Sequence, residues 1–298
     1  MSPTAADELR RARRPFVRVT VISAERPTSA KPGDTAVVLA DGTIVGFVGG
    51  VCAETSVRAQ ALRSLETGES VVLRITPDAE PSDDDRPGHV TVANPCLSGG
   101  TLEVFVEPEL PPVLVHVFGE APIARALVEV GQAAGWDMRP VTDPSAAIPP
   151  DATAVVVASH GRHEEEVLGA ALSAGVPYVG LVASRRRGAA VATALRAGDA
   201  LRTPAGFDIG ARSPGEVALS ILAEIVSVRP RTVRPEQPGA PAGAEIATDP
   251  VCGMAVAAVP SSVHAEYGGV TYWFCGEGCR VAFVDAPERY GGSAPGDR

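Results

Sequence analysis

The residues best suited to chemistry are three cysteines late in the chain, Cys252, Cys275 and Cys279, the last two spaced C-x-x-x-C. They stand in Asp249-Pro250-Val251-Cys252-Gly253-Met254 and Tyr272-Trp273-Phe274-Cys275-Gly276-Glu277-Gly278-Cys279. A strand ending at Cys275, followed by a helix with Cys279 in its first turn, would aim both sulfurs at one point. A helix N-terminus also lowers a thiol pKa and so favours the thiolate that metals require. A closed structural zinc site takes four ligands. The sequence offers three good ones, with His264 or Asp249 as the fourth. An open or three-coordinate thiolate site suits a soft ion such as Cu(I) as well as Zn(II), so the metal stays open between the two. Cysteines packed in a small core are the plain alternative.

Two further cysteines stand beside paired glycines. In Gly46-Phe47-Val48-Gly49-Gly50-Val51-Cys52-Ala53-Glu54 the diglycine precedes a helical pattern. Glycines there let backbone N–H groups approach a ligand, and a helix N-terminus favours anions. Cys52 in the first turn would be a partly activated thiol facing a phosphate or a pterin, unless it is simply a buried cysteine in a glycine turn. Asn94-Pro95-Cys96-Leu97-Ser98-Gly99-Gly100-Thr101 repeats the pairing just before a strand. Two such turns in one domain could meet at a site.

A third group lies mid-chain. Val117-Phe118-Gly119-Glu120-Ala121-Pro122-Ile123-Ala124 sits where a dinucleotide fingerprint belongs, but it reads G-x-A-x-x-A. Ala121 replaces the glycine that admits a pyrophosphate, and Glu120 adds unwelcome negative charge. Asp143 follows at a distance suited to a ribose hydroxyl. Ser159-His160-Gly161-Arg162-His163-Glu164 and Ser184-Arg185-Arg186-Arg187 follow later strands, at the sheet end where ligands bind in this architecture. They could hold a phosphate, or they could be ordinary loop polarity. No G-x-S-x-G elbow supports a serine hydrolase.

The elements that must position these residues are readable from pattern. Phe16 to Ile22, Thr35 to Leu39 and Thr43 to Val48 predict strands, with Asp41-Gly42 as a hairpin turn. Val51 to Glu66 has helical spacing and stops at Gly68. Strands follow at Ser70 to Ile75 and Thr101 to Val106, with an acidic loop from Pro77 to Gly88 between them. Beyond Pro108, Pro111 and Pro112, strands alternate with helices, which predicts βαβ units and a parallel sheet. Pro214 opens a last helix, and the run from Arg229 to Ala244 is composed like a linker. The expected fold is α/β in three parts. These are an N-terminal mixed α+β domain at 1–108, a Rossmann-like parallel-sheet domain at 112–228 and, after a linker at 229–246, a small C-terminal α+β metal-binding module at 247–292.

Composition narrows the function classes. The 298 residues are 45% hydrophobic and 21% charged, ordinary for a chain with packed cores. A formal charge of −10 argues against non-specific nucleic-acid binding, which needs a basic face. No stretch reaches the roughly 18 apolar residues of a membrane span, and the N-terminal residues lack a secretory h-region. Five cysteines, three of them in the last fifty residues, do not resemble a disulfide framework. A cytoplasmic protein with free or metal-bound thiols is expected.

The segment Gly206-Phe207-Asp208-Ile209-Gly210-Ala211-Arg212-Ser213-Pro214-Gly215-Glu216 and the helix after it resemble the XdhC/CoxI family. So do Gly49-Gly50-Val51-Cys52-Ala53-Glu54, Cys96 with Gly99-Gly100, and Tyr178-Val179-Gly180-Leu181-Val182-Ala183-Ser184-Arg185. The C-terminal cysteine segments resemble a YHS domain. The resemblance implies a maturation factor, not itself an enzyme, that binds molybdenum cofactor and delivers it, sulfurated, to a xanthine dehydrogenase or carbon monoxide dehydrogenase-type molybdenum hydroxylase. It places Gly49, Gly50, Cys52, Glu54, Cys96, Gly99 and Gly100 at the cofactor site, and Gly119, Asp143, His160, Arg185, Asp208 and Arg212 along a Rossmann-side pocket. The implied partners are the client enzyme and a sulfur donor such as a cysteine desulfurase, and a homodimer is the default assembly. Two rival functions are an NAD(P)-binding oxidoreductase and a metal sensor or metallochaperone acting through the C-terminal cysteines.

Overall fold

A computed structural model describes residues 5–77, 86–94, 100–229 and 245–290. These fall into two compact units, one drawn from 1–111 together with 231–298, the other spanning Pro112–Pro230.

The first unit begins with α1 (Ala5–Arg11), β1 (Phe16–Glu25), β2 (Thr35–Leu39), β3 (Ile44–Gly46), α2 (Val51–Thr67), β4 (Val71–Thr76), β5 (His89–Ala93) and β6 (Thr101–Glu109). Its sheet runs β3-β2-β1-β6-β4-β5, antiparallel throughout except for the parallel pair β4–β5. Along β1 the period-2 alternation is plain. Val17, Val19 and Val21 are fully buried, while Arg18 points outward and pairs with Glu107 on β6. Helix α2 lays Val57, Ala61, Leu62 and Leu65 on this sheet. It stops at Gly68, a left-handed residue whose N–H returns to the Ser64 carbonyl.

The second unit contains β7 (Leu114–Phe118), α3 (Pro122–Ala133), β8 (Asp137–Val141), β9 (Ala154–Val157), α4 (Glu164–Ser173), β10 (Tyr178–Leu181), α5 (Arg185–Leu195), β11 (Leu201–Arg202) and α6 (Pro214–Val228). All strand pairs are parallel, in the order β8-β7-β9-β10-β11. Strands β7, β9 and β10 are buried at every position, as a parallel sheet covered on both faces requires. The Rossmann-like architecture expected from the strand–helix alternation is therefore present. The strand order reverses between β7 and β9, the place where ligands bind in sheets of this kind.

The chain then returns to the first unit with β12 (Ile246–Thr248), β13 (Ala255–Ala257), β14 (Val263–Tyr267), β15 (Val270–Phe274), α7 (Glu277–Asp285) and α8 (Pro287–Tyr290). Of these elements, β13 packs against α2. Ala257 and Val259 are wholly buried in the same core as Val57 and Ala61. Ser261 Oγ donates to the Asp41 carbonyl at 3.1 Å. A Cβ at Gly42 would lie 2.9 Å from both Ser261 and Val259, and Gly42 also has φ +79. Glycine at this hairpin turn thus serves the turn and the close approach of the C-terminal residues together.

Three elements have no sequence signal. Helix α1 buries only Leu9, β5 is half-buried at four of its five positions, and β11 has two residues. Helix α5 starts at Arg185 because Ser184 caps it by accepting from the Arg187 N–H. Among the described residues, no helix is long and apolar enough to cross a membrane.

Candidate functional site

The cysteine cluster forms where two turns of the C-terminal residues converge. Strand β15 delivers Cys275, Gly276 turns the chain in an extended conformation, and α7 carries Cys279 in its first turn. Cys252 arrives from the turn between β12 and β13. The Cys275 sulfur lies 3.6 Å from both Cys252 and Cys279. Two sulfurs bound tetrahedrally at Zn–S ≈ 2.3 Å are about 3.8 Å apart, so the spacing fits a shared ion. With an Asp249 oxygen added, all four donor atoms lie within 4.8 Å of one another. The other candidate fourth ligand, His264, is exposed. It bonds the Ser262 carbonyl and stacks on Trp273, and it is not part of the cluster.

Asp249 is fully buried and organises the cluster. One carboxylate oxygen accepts from the Val251 N–H at 2.9 Å, and the other accepts from the Cys275 N–H at 2.8 Å. The carboxylate therefore ties the Cys252 turn to the Cys275 turn. Burial alone would push its pKa up, but the N–H groups of Cys275 and Val251 outweigh burial and hold it below the usual range. The thiols behave oppositely. Burial and the neighbouring sulfurs and carboxylate push Cys275 far up, and burial pushes Cys279 to about 12. Cys275 and Cys279, side by side next to a carboxylate, ionise together only when a cation shares the site. A soft or borderline ion suits that donor set. Met254, Val256 and Trp273 supply its apolar wall.

The second site surrounds Cys52. Helix α2 follows Gly50, which supplies no side-chain cap, and its first turn borders a cavity of about 630 Å³. Arg26, Thr28, Gly50, Cys52, Asn94 and Gly100 contribute to the lining. Gly49 is buried with φ +129, and a Cβ there would press on Ala53. Gly100 is needed for packing, since a Cβ would collide with the Pro27 carbonyl oxygen. Glu54 is half-buried in the same turn and acts electrostatically on Arg58. The structure brings Gly50, Cys52 and Gly100 to one cavity. Cys96 and Gly99 lie in the segment 95–99, outside the described residues. Asn94 joins the site without any signal in the sequence. It is buried, and its Nδ2 donates to the Cys52 carbonyl at 3.0 Å, fastening the end of β5 to the first turn of α2.

In the second unit, Gly119, Asp143, His160 and Arg185 each follow the carboxyl end of a strand, on the ligand-binding edge of such sheets. A Cβ at Gly119 would collide with the Ala158 carbonyl oxygen, so this glycine serves the close approach of β7 to the segment after β9. Asp143 accepts from the Ser145 hydroxyl and N–H, which hold its carboxyl below the usual range. Arg185 meets Asp208 at 3.4 Å in full exposure. Arg212 is exposed and gives its N–H to Glu216 beside the capping box of α6. His160 is exposed with φ +55, in a loop strapped from below by the buried Glu164. Glu164 accepts from the Gly161 N–H and pairs with Arg187 at 3.2 Å, an ion pair that no sequence pattern signals.

Three protein-family models match parts of the chain. Residues 115–225 match the XdhC Rossmann domain, residues 9–76 match the XdhC and CoxI family, and residues 247–294 match the YHS domain. An uncharacterised protein of Escherichia coli, YqeB, is 26% identical over 76% of this chain and 46% of its own length. A Bacillus subtilis protein described as a probable xanthine dehydrogenase subunit is 32% identical over 28% of this chain and 25% of its own. The chain thus spans less than half the length of these curated relatives. A solved structure described as a xanthine dehydrogenase of Bacillus halodurans is 18% identical, with a TM-score of 0.38 over 76% of this chain and 94% of that one. The chain belongs to the XdhC and CoxI family and carries a YHS domain.

Proposed function

We propose that this chain is an accessory protein, not itself an enzyme, which binds molybdenum cofactor as cargo and passes it to a molybdenum hydroxylase of the xanthine dehydrogenase type. The observation that carries the reading is the cavity at the uncapped start of α2, with Cys52 and Arg26 in its wall. A helix N-terminus and a guanidinium in one wall suit the phosphate of a pterin cargo. A thiol in the same wall suits a cargo whose sulfur and metal are soft. Family membership and the name of the B. subtilis relative supply the client class.

In this reading Gly49, Gly50, Cys52, Glu54 and Gly100, with Cys96 and Gly99, form the cargo site. Gly119, Asp143, His160, Arg185, Asp208 and Arg212 line a second pocket on the Rossmann-like unit. Sulfuration of the cargo by a cysteine desulfurase, and clients of the carbon monoxide dehydrogenase type, belong to the same proposal. The rival reading as an NAD(P)-dependent oxidoreductase is weakened by the turn after β7. There Gly119 is committed to strand packing, and Ala121 is buried in the core where a pyrophosphate needs glycine. The rival role in metal sensing or metal delivery draws on the cysteine cluster alone. Retention of molybdenum and pterin by the purified chain, lost in Cys52→Ala, tests the main reading.

A further inference from the structure

The cysteine cluster and the Cys52 cavity share the first turn of α2. On one side of that turn, Thr55 Oγ1 donates to the Cys275 carbonyl at 2.8 Å, and Thr55 is buried. The Val51 side chain stands 3.4 Å from where a Cβ of Gly276 would be. The turn that carries two of the three cluster sulfurs therefore rests directly on Val51 and Thr55. On the other side, Val51 and Cys52 line the cavity, and Asn94 holds the Cys52 carbonyl. This turn has no side-chain cap of its own, so its order depends on what packs against it.

We infer that the metal site of the C-terminal module is an effector site for the Cys52 cavity. An ion bound to Cys252, Cys275 and Cys279 fixes the Cys275–Gly276 turn. Through Thr55 and Val51 it holds the first turn of α2 in the conformation that forms the cavity wall. Without the ion the two cysteine-bearing turns loosen and the first turn of α2 frays, because small metal-bound modules draw much of their order from the ion. By linkage, a ligand that needs the ordered turn raises the affinity for the ion in the same proportion. The inference rests on the reading of Cys52 as the cavity thiol, but it does not depend on which cargo the cavity accepts.

The test uses the full chain under reductant, with and without stoichiometric Zn²⁺ as the probe. The alkylation rate of Cys52 by iodoacetamide is followed at low conversion by peptide mass mapping. Zn²⁺ is expected to slow Cys52 alkylation by about fivefold or more, the lower end of site-to-site coupling. The effect should vanish in Thr55→Val and persist in Thr55→Ser, which keeps the hydroxyl. Chelator competition would show that both variants still bind Zn²⁺, and circular dichroism that both are folded. Bound Zn²⁺ with an unchanged Cys52 rate in the wild type overturns the coupling and leaves the cargo reading standing. Failure to bind Zn²⁺ overturns the coupling together with the metal site. Persistence of the effect in Thr55→Val overturns the route through Thr55.

Discussion

Replacing Asp249 by alanine probes how the metal cluster is built. The side chain is fully buried, and its two oxygens accept from the N–H groups of Val251 and Cys275 at 2.9 and 2.8 Å. Removing it leaves the buried Cys275 N–H and the half-buried Val251 N–H without that partner, at about 1–3 kcal/mol each, so a loss of about 2–6 kcal/mol is expected. The same bonds hold the Cys252 and Cys275 turns in register, and loss of such orienting partners weakens metal binding about 10–100-fold. Asp249→Asn keeps one acceptor oxygen but turns a second donor toward an N–H, so it should lose much of the same stability. Zn²⁺ affinity by chelator competition, with thermal unfolding of the zinc-free protein, reads both effects. The carboxylate is held ionised by those N–H groups, so its folded pKa lies below the unfolded one. Its contribution is present above the ordinary carboxylate pKa of about 4 and is lost as pH falls through the lower folded value. Wild type should thus lose stability on acidification more steeply than Asp249→Asn. Alanine at 249 with unchanged unfolding and Zn²⁺ affinity within a factor of about three would refute this account of the cluster.

Two further substitutions test the architecture. Val259→Ala removes methyl groups from a wholly buried side chain shared with the α2 core, which costs about 1.5–3 kcal/mol. Because the C-terminal residues are one unit with the N-terminal ones, calorimetry should show the lowered transition in both together; a separate low-temperature transition would contradict that. Gly119→Ala puts a Cβ against the Ala158 carbonyl at φ +112, so the Rossmann-like unit should lose at least about 1–3 kcal/mol. Zn²⁺ affinity should not change in that variant, and a change would mean that the cluster depends on the second unit.

The scaffold is legible in the sequence where periodicity is strong. The alternation in Val17, Val19 and Val21, the helical spacing of Val57, Ala61 and Leu65, and the strand–helix repetition after Pro112 all carry local signals. The convergence of Cys275 and Cys279 is legible too, because a strand-to-helix turn fixes both within five residues. The docking of the C-terminal residues onto α2 is not. It rests on a three-residue strand, two small apolar side chains and a bond between Thr55 and Cys275 across 220 residues. The linker-like composition before residue 245 carries no information about the surfaces on either side, and residues 230–244 lie outside the described residues. The roles of Asn94 and Asp249 escape in the same way. An asparagine bonding a backbone carbonyl 42 residues away has no spacing rule, nor has the Cys275 N–H bond to Asp249 across 26 residues, although the Val251 N–H bond to Asp249 is an ordinary i to i+2 turn bond.

The measurement that bears most directly on the proposed function is cargo retention. Purified protein is incubated with molybdenum cofactor and freed of unbound ligand, and the molybdenum and pterin that remain are assayed beside Cys52→Ala. The proposal expects near-stoichiometric retention by the wild type and its loss in the variant. A folded wild-type protein that retains neither would contradict it, and the metal cluster would then be the better guide to function.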